Sequence, residues 1–153
     1  NVYGPNEYHK GDMKSVVAKA YKEIKETGRK KLFKSYRKDI KDGEQKRDFI
    51  YVKDVIDIIM FFVLHPEKKG IYNVGTGKAR SFNDLAFSVF RCLGIPPVIE
   101  YVDMPPEIDR DGYQYFTQAE TEKLRGAGFN REFTELEEGI KDYIAYLKEC
   151  LYI

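Results

Sequence analysis

Apolar residues recur at helical spacing from Met13 to Thr27, where Val16, Val17, Ala20 and Ile24 share one face and Gly28 supplies a stop. Lys31–Tyr36 has strand character, and the polar run Arg37–Lys46, with its Asp42-Gly43, reads as a loop. Arg47–Val52 is the next expected strand. Asp54–Leu64 is a strongly apolar helix ended by His65-Pro66, because proline cannot continue it and restricts the residue before it. Ile71–Val74 is expected to be a short strand, closed by the tight turn Gly75-Thr76-Gly77. The pairs Ser81/Asp84, Thr117/Glu120 and Thr134/Glu137 have the spacing of capping boxes and announce three further helices. A strand at Val98–Val102 and a Pro-rich loop, Asp103–Gly112, lie between the first two of these. The opening Asn1–Pro5 has the pattern of a strand end running into a Gly-Pro turn, with no initiator Met, so the chain is expected to begin in mid-structure. Short strands alternating with helices, without repeats or a linker, predict a single mixed α/β domain.

Composition narrows the class. The 153 residues suffice for one domain with a core, and 42% hydrophobic residues exclude disorder. Ile58–Leu64 is the longest apolar stretch, far below the roughly 20 residues needed to cross a bilayer, and no signal-peptide pattern opens the chain. A soluble, cytoplasmic protein is expected. The net charge of +1 gives no general attraction to nucleic acid or membrane. That balance hides an asymmetry: Lys10–Arg47 holds 14 Lys+Arg against 6 Asp+Glu, and the remainder 12 against 19. A local basic segment suits a small anionic ligand better than a polyanion, although a solvated helix face accounts for most of its lysines.

Four possible chemical signals carry little. Cys92 and Cys150 are far apart, without a CxxC spacing, and His9 and His65 form no metal pair, so neither a disulfide scaffold nor a metal site is expected. Gly75-Thr76-Gly77-Lys78 fails the phosphate-loop pattern, with Tyr72 and Ala79 where Gly and Ser/Thr are required. It also fails the dinucleotide fingerprint, with Arg80 in place of the third Gly, so the turn reads as structural. Tyr21 and Lys25 share a helix face at a YxxxK spacing, but in a Lys-rich helix with no strand before it.

Taken together, Asn1-Val2-Tyr3-Gly4-Pro5, Arg47-Asp48-Phe49-Ile50-Tyr51-Val52 with Asp54-Val55, and Gly70–Gly77 followed by Ser81-Phe82 resemble the C-terminal part of an extended short-chain dehydrogenase/reductase. These elements are shared by sugar-nucleotide epimerases, dehydratases and decarboxylases. His9-Lys10-Gly11, Gly112-Tyr113-Gln114, Phe116–Ala119, Leu124-Arg125 and Ala127-Gly128-Phe129 narrow the similarity to the ADP-glyceromanno-heptose 6-epimerases. It runs from Asn1 to about Leu147.

The resemblance implies the substrate-binding lobe of an α/β, Rossmann-type enzyme, with the glycine fingerprint and the Tyr-Lys pair of the family upstream of Asn1. The activity it implies is inversion of C6 of an ADP-heptose through transient oxidation by NADP, or NAD, supplying the lipopolysaccharide inner core. Lys10 matches an acid/base lysine that also faces the cofactor, Val2 a cofactor contact and Asn1 a substrate contact. Arg47 matches an arginine near the nucleotide diphosphate, where a guanidinium fork suits phosphate oxygens. Tyr113 matches a substrate-contacting tyrosine, Phe33, Lys34 and Ser35 a loop around the adenosine, and Asp12 and Lys19 further substrate contacts. Departures from the family are Asn6 for a common Arg, Asp12 for Ser and Lys19 for His. Homo-oligomers are implied as well. Two other readings stay open: an extended dehydrogenase acting on a UDP-, GDP- or dTDP-sugar, and a non-catalytic nucleotide-sugar binding fragment. The lobe on its own is expected to be inactive, weakly stable or self-associating, because it would leave apolar faces bare.

Overall fold

Three two-stranded pairings organise the chain in the computed structural model, which describes residues 1–108, 110 and 112–149. Cys150 therefore lies outside the described residues, as do Asp109 and Asp111 of the Pro-rich loop. Strand β1 (Val2–Tyr3) pairs in parallel with β4 (Ile50–Tyr51), and β2 (Lys30–Phe33) in parallel with β6 (Ile99–Val102). The short β3 (Lys46–Arg47) runs antiparallel to β5 (Arg80–Ser81). Parallel partners need long crossovers, and helices fill them.

Helix α1 (Val16–Thr27) starts later than its apolar pattern suggests. Ser15 caps it by accepting from the Ala18 amide, and Gly28 ends it in the left-handed region at φ 68°. Met13 falls instead in a 3-10 turn, Tyr8–Met13, with its side chain in solvent. Helix α2 spans Val52–Leu64, α3 Phe82–Leu93, α4 Glu122–Gly126 and α5 Leu136–Glu149. The larger core packs α1, α3 and α5 around Tyr3, Phe49 and Tyr51; the smaller gathers Ile50, Ile58, Leu124 and Phe129. Tyr3 lies so close over α5 that a Cβ at Gly139 would collide with its hydroxyl.

Four expectations need correction. The strand expected at Arg47–Val52 is divided, because Arg47 pairs with β5 while Ile50 and Tyr51 pair with β1, and Val52 already opens α2. Ile71–Val74 forms no strand: Ile71 is 88% exposed, and its carbonyl accepts from the Lys123 Nζ rather than from a neighbouring strand. Thr117/Glu120 starts no helix, since the Thr117 amide donates to the Lys46 carbonyl in an extended segment and α4 begins at Glu122. Thr134/Glu137 is not a capping box although α5 follows. Both the amide and the hydroxyl of Thr134 donate to the Asp54 carboxylate, and Glu137 pairs with Arg80. The Ser81/Asp84 box forms in full at the start of α3.

One face of α2 stays bare. Ile56, Ile59, Met60, Val63 and Leu64 recur at helical spacing and are all exposed. Among the described residues no helix is long and apolar enough to cross a membrane.

Candidate functional site

A cleft of about 350 Å³ opens between α1, β2 and the start of α3. Its apolar wall is Val16, Leu32, Phe33, Phe82 and Tyr113, with Lys19 and Lys31 beside it. On α1 the half-buried Val16 and the exposed Lys19 stand one turn apart at the cleft, and the capping box of α3 presents Phe82 at the first helical position.

Arg47 bridges the two aromatic sides. Its guanidinium carbon lies 5.4 Å from the Tyr113 ring centre and 5.7 Å from that of Phe82, and one terminal nitrogen donates to the Lys46 carbonyl at 2.8 Å. Two aromatic faces, the carbonyl and a hydrogen bond with the Tyr113 phenol hold the fork in place beside the cleft. Burial pushes the Tyr113 phenol up, while nearby Arg47 pulls it down by less. The Tyr113 ring is itself set edge-on against Tyr115, centres 5.3 Å apart.

Of the cations around the cleft, Lys30 is already neutralised by Glu23 at 2.6 Å. Lys19 is exposed and makes no side-chain ion pair among the described residues. The cleft thus combines aromatic and aliphatic walls with uncommitted positive charge, a surface suited to a flat ring carrying phosphate groups.

The structure gathers Lys19, Phe33 and Tyr113 in this cleft, with Arg47 stacked on its rings. Lys34 and Ser35 turn elsewhere. The Lys34 ammonium reaches Asp103 at 3.4 Å, and the Ser35 amide donates to Asp42 at 2.7 Å. Asn1 is exposed, with its carbonyl accepting from the Ile50 amide, and Val2 is exposed on β1. Lys10 and Asp12 sit exposed in the 3-10 turn ahead of α1. Sequence reasoning missed Gln45. It is 2% exposed, its Nε2 donates to the carbonyls of Phe33 and Lys34, and its own carbonyl accepts from the Phe82 amide. It therefore ties together the end of β2 and the start of α3, on both sides of the cleft. A single polar residue inside a polar loop carries no periodic signal. Phe82 was visible only as part of the Ser81-Phe82 element.

Tyr21 and Lys25 do meet, with the ammonium 3.3 Å from the phenol oxygen, but the Tyr21 ring is buried in the core. The turn at Gly75–Lys78 is filled from within. The Asp48 carboxylate accepts from the Thr76 hydroxyl at 2.6 Å and from the amides of Thr76, Gly77 and Ala119 at 2.8, 2.9 and 3.0 Å. A phosphate would have to displace a carboxylate built into the chain. That turn therefore builds no dinucleotide site; Val2 and Lys10, the two residues that the resemblance assigns to the cofactor, are both exposed. Among the described residues, no cluster of His, Cys, Asp and Glu is arranged to hold a metal ion.

Residues 1–75 match the NAD dependent epimerase/dehydratase family. A protein of Nitratidesulfovibrio vulgaris described as ADP-L-glycero-D-manno-heptose-6-epimerase is 54% identical over 144 residues, which is 94% of this chain and 44% of that protein. One from Fusobacterium nucleatum with the same description is 51% identical, over 100% of this chain and 48% of its own length. Among solved structures, the ADP-L-glycero-D-manno-heptose-6-epimerase of Helicobacter pylori superposes with a TM-score of 0.73 at 30% identity, covering 97% of this chain and 42% of that one. A UDP-glucose 4-epimerase of Thermotoga maritima gives a TM-score of 0.71 at 27% identity, covering 99% and 45%. The chain spans less than half the length of these relatives, and its α/β architecture is that of the Rossmann-type extended dehydrogenases. On the matched motifs, the shared fold and the identity to these relatives, the chain belongs to the NAD-dependent epimerase/dehydratase family.

Proposed function

We propose that this chain is the nucleotide-sugar-binding part of an ADP-heptose 6-epimerase, a cytoplasmic homo-oligomer that supplies the lipopolysaccharide inner core. The observation that carries the reading is the cleft in which Arg47 stacks on Tyr113 and Phe82 beside the uncommitted ammonium of Lys19. The names of the relatives at 51–54% identity support the choice of sugar nucleotide.

The proposed division of labour follows from the chemistry. C6 of the heptose carries no activating group, so direct deprotonation is too costly and inversion requires oxidation and re-reduction. NADP supplies that redox capacity when bound, largely by residues other than those described here. This chain binds, orients and moves protons. Arg47 holds the diphosphate and Phe33 meets the adenosine; Asn1, Asp12, Lys19 and Tyr113 contact the sugar. Lys10 is one of two acid/base groups, each serving one face of the sugar carbon.

Calorimetric titration of the chain with ADP-heptose, UDP-glucose and ADP tests the assignment. Preference for ADP-heptose over both controls is expected, and preference for UDP-glucose would move the chain to the UDP-sugar epimerases. In the full-length protein, Lys10→Ala should lower kcat far more than it raises KM; turnover near the wild-type value would remove Lys10 from the chemistry.

A further inference from the structure

Lys10 is solvent-exposed and makes no ion pair of its own among the described residues, yet the turn that carries it is firmly moored. The mooring is Glu7. The residue is 5% exposed, and one carboxylate oxygen accepts from the Tyr143 hydroxyl at 2.6 Å and the Ser15 hydroxyl at 2.5 Å. The other accepts from the Ser15 amide at 2.8 Å, and the Glu7 carbonyl accepts from the Lys10 amide at 3.1 Å. Ser15 is the N-cap of α1, and Tyr143 lies fully buried in α5.

We propose that Glu7 is the positioning residue for Lys10, a carboxylate staple that closes the Tyr8–Lys14 turn at both ends and locks it to α5. The assignment rests on the acid/base reading of Lys10 given above. Three short, charge-assisted hydrogen bonds to a buried carboxylate fix their partners more tightly than neutral ones. The backbone takes positive φ just before the first anchor, at Asn6 (69°), and again between the two anchors, at Gly11 (52°). The reach of the lysine is therefore set by the mooring of its backbone rather than by contacts of its side chain. A general acid/base group loses rate steeply when misplaced by as little as about 1 Å.

The test compares Glu7→Gln, Tyr143→Phe and Lys10→Ala in the full-length protein, by steady-state kinetics and by amide hydrogen exchange without substrate. Glu7→Gln is expected to lower kcat by about tenfold to a hundredfold at nearly constant KM. It should also accelerate exchange in residues 8–13 while α3 amides stay protected. Tyr143→Phe removes one tether of three and should give a smaller effect of the same sign; it carries the test if Glu7→Gln does not fold. Unchanged kcat, or unchanged exchange in the turn, would overturn the role of Glu7. Intact turnover in Lys10→Ala would instead overturn the function assigned to Lys10, an outcome the substrate-free exchange data keep separate from the integrity of the staple.

Discussion

The Asp48 carboxylate is the hub of the Thr76 turn: Thr76 gives it both an amide and a hydroxyl hydrogen bond, at 2.8 and 2.6 Å. Burial opposes ionisation of Asp48, but these bonds and those from Ala119 and Gly77 outweigh it and hold its carboxyl below the ordinary range. With the folded pKa depressed, its stabilisation is complete above the ordinary aspartate value of about 4 and is lost as the pH falls through the lower folded value. Asp48→Asn should cost about 2 kcal/mol at neutral pH, with the gap to wild type closing in acid. Urea unfolding of both proteins from neutral pH into the acid range measures it, and a gap independent of pH would contradict the assignment.

Arg47 is held by two aromatic faces, and a lysine cannot replace that planar fork. Arg47→Lys is expected to weaken ADP-heptose binding nearly as much as Arg47→Ala, about tenfold or more. Calorimetry on the two variants decides. Affinity retained in Arg47→Lys would mean that only the charge matters there.

Gly139 faces the Tyr3 hydroxyl, which donates to the Leu136 carbonyl at 3.4 Å. Gly139→Ala should destabilise by about 1–3 kcal/mol through overpacking. Tyr3→Phe removes the atom in conflict, so the double variant should lose less than the sum of the singles. Strict additivity in denaturant unfolding would show that the two elements separate freely.

The bare face of α2 should make the chain associate with itself when produced alone. Sedimentation velocity is expected to show species larger than the monomer, and replacing exposed Ile59 and Val63 by lysine should restore the monomer. A wild-type chain that stays monomeric at high concentration would contradict this.

The four longer helices, α1, α2, α3 and α5, were legible because their signals are local. Val16, Val17, Ala20 and Ile24 face the core, and the Ser81/Asp84 box forms as its spacing requires. Strands are not local properties. Ile71–Val74 has the residues of a strand, yet no described segment pairs with it, and Arg47–Val52 is divided because its two halves find different partners. Thr134 shows why a cap spacing is insufficient, since Asp54 from α2 takes both of its donors. In the site, family resemblance pointed to Lys19, Phe33 and Tyr113, which line one cleft, and to Arg47, which stacks on its Tyr113 and Phe82 rings, but also to Lys34 and Ser35, which turn away from it. Gln45 and Glu7 escaped notice because a buried polar side chain announces itself only through partners distant in the chain.

The staple beneath Lys10 also sets an order of events during synthesis. Glu7 and Tyr143 are 136 residues apart, and Tyr3 leans on α5 across a similar separation. At about 5–20 residues per second, the ribosome needs about 7 to 27 seconds to make the second half of that bond after the first. Through that interval α1 can wind and cap itself on Ser15, and Glu7 can bond to Ser15, but the lysine-bearing turn has no α5 to dock against. The latest of the described helices to be made is the one that fastens the turn bearing Lys10.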